Sequence, residues 1–314
     1  MSENTPLMPR PASAPQPDSH HIYLRACHSS WRFISPKLLT LLRLLVTGYL
    51  IAVAGVSLKY KLETKDKHTN WRIPFQFSTV SFLTLLAYNL QAALWTLMHL
   101  LLPEAPQQDP SQCEGHVMRA KITKALSPPA QASCPKRRFF YSLFYTVAHV
   151  FTFTNTILYW AVLVPSGHGG FKAPKLPHIH NPGTNSTFFL YNPNKGLFEE
   201  DDIKAFSIIN VWTITSIIGF LEVLLFNSIR RQTPVASHSV GVVLATAAYL
   251  AWAGLGKLLT GHAGLFFLDT KMIGSTKASV AATLGFLALT PGIFTYLYGL
   301  IAMRESMTAR QAAQ

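Results

Sequence analysis

The sequence predicts an all-α protein, a polytopic membrane helix bundle with about six transmembrane helices. Two observations predict it. Of 314 residues, 49% are hydrophobic and only 13% charged, and the mean hydropathy of +0.23 exceeds that of an ordinary soluble chain. The apolar residues are also gathered into runs of about 20, long enough to cross roughly 30 Å of hydrocarbon at 1.5 Å per residue.

The chain divides into a disordered cytosolic arm (1–37), a six-helix membrane domain (38–303) and a cytosolic tail (304–314). The arm opens polar and proline-rich, with no apolar core of a cleaved signal, so the first span acts as the signal anchor. That span, 38–58, carries Arg43 near its first end, where a long side chain snorkels or meets a headgroup or helix partner. The second, 77–102, begins with Ser78, Thr79, Ser81 and Thr84. Deeper in it, Asn89 and Gln91 are candidates for hydrogen bonds between helices. The third, 139–164, holds His149 near its middle.

The fourth span, 206–227, is the one to organise the chain around. It carries a single carboxylate, Glu222, and a carboxylate costs roughly 2.5–3.5 kcal/mol at the centre of an inserted helix. Glu222 is therefore expected to turn towards the bundle, with His149 as first candidate partner and a hydroxyl or water as second. The fifth span, 239–259, has Lys257 near its end, where it snorkels or binds an anionic lipid. The sixth, 280–303, contains Pro291-Gly292, a kink that a bundle tolerates.

Lys and Arg number 27 against 14 Asp and Glu, and they lie mainly in the connections. That pattern marks topology anchors and contacts to membrane lipids rather than a nucleic-acid partner. The arm, the 103–138 loop, the Arg230-Arg231 turn and the tail hold the larger share of the bases, so both termini are expected in the cytosol. The sequon Asn185-Ser186-Thr187 then falls on the lumenal or exterior side as a glycosylation site, in an endoplasmic reticulum or plasma membrane protein. Cys27, Cys113 and Cys134 contain no CxxC, and His168, His178 and His180 have no acidic neighbour, so no metal and no cofactor is expected.

WRFISPKLLTLLRLL at 31–45, FQFSTVSFLTLL at 75–86, FLEVLLF at 220–226, GHAGLFFLD at 261–269 and YLYGLIAMRE at 296–305 together resemble the androgen-induced (AIG1 / FAR-17a) family, in particular its fungal branch. The resemblance implies a six-span membrane hydrolase of lipid esters with an intramembrane threonine nucleophile and a histidine partner. Thr79 matches the threonine. Trp212 stands where the histidine is expected, and no histidine occurs from Lys204 to Ser237. A threonine hydroxyl needs a base to take its proton, so the expectation is a lipid-binding or accessory protein with weak or lost hydrolase activity. The alternative is an active threonine hydrolase of fatty-acid esters with another base, for which His149 is the candidate. A small-solute transporter is the third reading; inverted halves with broken helices, which would favour it, are not visible.

Overall fold

The computed structural model describes residues 22–64, 71–102, 126–129, 135–166 and 202–313. Asn185, Cys113, Cys134, His168, His178 and His180 lie outside the described residues. Among the described residues every regular element is helical: α1 (Ile22–Cys27), α2 (Pro36–Thr64), α3 (Phe77–Leu101), α4 (Pro135–Ile157, extended by a π-helical turn Leu158–Leu163), α5 (Ile203–Phe226), α6 (Val235–Thr260) and α7 (Thr276–Ala313). Helices α2 to α7 are the six long and apolar enough to cross a membrane. The chain is an integral, polytopic all-α membrane protein.

Hydrogen-bonding capacity decides which helix takes the centre. Helix α4 carries His149 and a series of hydroxyls that lipid cannot satisfy, and it is the most buried span, packed against α3, α5, α6 and α7. Helix α2 is apolar on most of its surface and takes the rim, with Leu45 and Ile51 facing outward. Pro291 in α7 removes a donor from the helix ladder, and the Leu287 carbonyl accepts from Thr290 Oγ1 at 3.1 Å instead.

Two segments differ from the sequence reading. Residues 22–35, expected within the arm, include α1, and its Tyr23, Ala26 and Cys27 are buried between α3 and α4. Tyr23 packs on Trp95 and Tyr141 at 5.6 and 5.3 Å between ring centroids. Burial pushes the Cys27 thiol up to about 12, so it stays protonated and unreactive. Residues 304–313, expected as a tail, continue α7, and Arg304 is buried.

The far end of the bundle, opposite α1 and Arg304, is closed by the segment after α6. Gly261 ends α6 at a positive φ of 72°, and the following residues fold back over the start of α3. Gly264 passes so close to Phe75 that a Cβ there would sit 1.8 Å from the Phe75 carbonyl oxygen.

Candidate functional site

The terminal end of the bundle is organised by the last turn of α5. A helix end leaves its final carbonyls without partners, and burial makes that costly. Here side chains from three other segments fill the gap. Arg304 Nη1 donates to the Val223 and Asn227 carbonyls at 2.7 and 3.0 Å, and Trp31 Nε1 to Leu224 at 2.6 Å. Ser29 Oγ donates to Leu225 at 2.5 Å, and Arg43 Nη2 to Phe226 at 2.9 Å. Arg304 also reaches Asn227 Oδ1 at 2.6 Å and the Ile229 carbonyl.

Glu222 sits within this knot, fully buried and turned towards the bundle. Its Oε1 accepts from Arg43 Nη2 at 2.7 Å and from the Tyr88 hydroxyl at 2.9 Å. Arg43, expected to snorkel, is 1% exposed, and its Nη1 binds the Ala26 carbonyl and Thr96 Oγ1, both at 2.5 Å. The cation goes inward because Glu222 neutralises it and because α1 and α3 offer oxygens to the remaining N–H groups. Tyr88, Asn227 and Arg304 belong to this cluster and were not legible as such; the FLEVLLF and AMRE stretches were the signal available.

His149 does not bond Glu222. Its Nδ1 lies 2.8 Å from the Tyr145 carbonyl, and its ring packs edge-on against Tyr88 at 5.0 Å. His149 Nε2 and Glu222 Oε2 are both buried without a partner among the described residues. Tyr88 is nine residues beyond Thr79 on α3, about 13 Å along the axis, so His149 is out of reach of Thr79. The histidine weighed as a replacement base is a core residue.

Thr79 lies at the far end, beside a cavity of about 350 Å³ between α2, α3, α4, α5 and the segment after α6. Its polar lining includes Tyr60, Lys61, Gln76, Ser78, Asn155, Lys204 and Ser207; its apolar lining includes Phe77, Leu158, Ile208, Trp212, Leu265 and Phe267. The wall is built where two π-helical turns meet, Leu158–Leu163 of α4 and Asn210–Ile214 of α5. The α5 π turn leaves backbone acceptors that α4 side chains take: Asn155 Nδ2 binds the Val211 carbonyl at 3.1 Å and Thr156 Oγ1 the Trp212 carbonyl. Trp212 stacks flat on Tyr159, with centroids 4.3 Å apart and planes inclined 17°.

The chain matches no protein family, curated protein or solved structure. Chemistry therefore has to be read from the site itself. Ser78, rather than Thr79, lines the cavity, and the neighbour of the Thr79 hydroxyl is Lys61 Nζ at 3.5 Å. Among the described residues no His, Asp or Glu lines the cavity, and none form a group able to hold a metal. Asn89 differs from expectation: it bonds back to the Leu85 carbonyl at 2.9 Å, and the link to α2 runs through its own carbonyl, 3.4 Å from Thr47 Oγ1. Lys257 Nζ, near the end of α6, donates to the Leu268 carbonyl at 2.7 Å and holds the folded-back segment in place.

Proposed function

We propose that this protein binds a lipid in the far-end cavity and has weak or lost ester hydrolase activity, in keeping with its resemblance to the androgen-induced family. One observation supports the reading best: an apolar cavity with a polar rim opens beside Thr79, and Trp212 forms its wall where a base is required. A general base must stand within about 2.6–3.2 Å of the proton it takes, directly or through one water. The ammonium of Lys61 is a donor in its charged form and cannot take that proton. A fatty-acid ester is then a ligand rather than a substrate.

Turnover of a long-chain ester by purified native protein, Thr79→Ala and Trp212→His in detergent tests this. Native protein and Thr79→Ala are expected to share one background rate. Turnover by the native protein that disappears in Thr79→Ala would establish the hydrolase alternative. Gain of turnover in Trp212→His, with the fold intact, would show that only the base is missing. The substitution leaves a cavity beside Tyr159 costing a few kcal/mol, so an unfolding temperature accompanies each rate.

We also infer cytosolic termini in an endoplasmic reticulum or plasma membrane setting. In sealed microsomes the 104–138 loop is expected to be cleaved by added protease, while the 165–205 loop is protected and Asn185 carries glycan. The reverse cleavage pattern would invert the topology.

A further inference from the structure

We infer that the cavity takes a single-chain lipid whose head carries both an anion and a free hydroxyl, a lysophospholipid phosphate being the simplest such molecule. This rests on the lipid-binding reading above and specifies its ligand.

Two ammonium groups reach the rim from different helices, Lys61 from α2 and Lys204 from α5. Lys61 Nζ is fixed over the start of α3 by Gln76 Oε1 at 3.1 Å and Thr79 Oγ1 at 3.5 Å. That start is itself an anion-attracting surface. Gln76 makes no side-chain cap, and the first backbone bonds of α3 are those of Thr79 and Val80 to the Gln76 carbonyl. The N–H groups of Phe77 and Ser78 are left as donors at the positive end of a 25-residue helix.

The Ser78 side chain points to a ligand independently of the helix end. Ser78 is 8% exposed, lines the cavity, and its hydroxyl makes no hydrogen bond among the described residues. The hydroxyl is therefore open to the cavity and available to an occupant. Asn155, 3% exposed, supplies the opposite polarity: Val211 holds its amide nitrogen at 3.1 Å, so its amide oxygen is left to accept a hydroxyl. Donors for an anion and an acceptor for a hydroxyl thus converge above Phe77, Leu158 and Phe267. The volume of about 350 Å³ is near the lower bound for ligand sites and suits one head and the start of one chain.

Binding of oleoyl lysophosphatidate, oleate, monoolein and inorganic phosphate to purified protein, measured by native mass spectrometry with competition, tests the inference. Lysophosphatidate is expected to bind most tightly. The double variant Lys61→Gln/Lys204→Gln should weaken it about tenfold or more, the worth of a charge-assisted hydrogen bond, and leave monoolein nearly unchanged. Ser78→Ala and unfolding temperatures separate loss of contacts from loss of fold. Monoolein or oleate bound as tightly as lysophosphatidate, or a double variant that binds it unchanged, overturns the inference while leaving a lipid site. Inorganic phosphate competing as well as the lipid makes the site one for a free anion and also overturns it. If none of the three lipids binds, the lipid-binding reading fails as well.

Discussion

Replacing Arg43 by Ala is expected to cost about 3–5 kcal/mol and to release the terminal end of the bundle. The residue ties three other helices together: Glu222 and Phe226 of α5, Ala26 of α1, and Thr96 of α3. Its removal leaves the buried Glu222 carboxylate with only the Tyr88 hydroxyl and opens two backbone carbonyls. Glu222→Gln is expected to be milder, about 1–3 kcal/mol, because the amide oxygen still accepts from Arg43 and Tyr88. The double variant Arg43→Met/Glu222→Leu distinguishes an ion pair from a wider brace. A pair alone would be rescued by well-packed apolar replacement. Here the rescue should be partial, since the Ala26 and Phe226 carbonyls stay unsatisfied. Thermal unfolding in detergent, followed by helical circular dichroism, measures all three, and an Arg43→Ala protein as stable as the native one would remove this account of the end.

Deleting residues 304–314 is expected to destabilise the protein by a similar few kcal/mol, whereas deleting 306–314 should be tolerated. The difference is Arg304 with Glu305. Arg304 closes the Val223, Asn227 and Ile229 carbonyls together with Asn227 Oδ1, and each buried acceptor left open costs about 1–3 kcal/mol, less than additively. Glu305 contributes less, through a partly exposed pair with Arg231 at 2.8 Å. Arg304→Ala in the full chain should reproduce the longer deletion. Equal stability of the two truncations would return 304–314 to the status of a tail.

Both predictions concern residues whose role follows from their partners, and this separates what could be read early from what could not. The apolar runs from Leu38 onward determined six membrane helices, because about 20 consecutive apolar residues have no better solvent than lipid. One carboxylate in such a run determined that Glu222 turns inward, since lipid cannot solvate it. The absence of a histidine near Trp212 was equally a property of the sequence alone. The partner of Glu222 was not. Arg43 is 179 residues away and close to a helix end, where snorkelling is the ordinary outcome, and only the approach of α1, α2, α3 and α5 supplies enough oxygens to draw it inside. Arg304 was misplaced for the same reason: a polar helix end reads as a tail until the carbonyls it covers are known. At the far end, tertiary structure decided that Ser78 rather than Thr79 lines the cavity and that Lys61 stands beside Thr79, because helix rotation and two facing π turns set those relations and neither is encoded in local spacing.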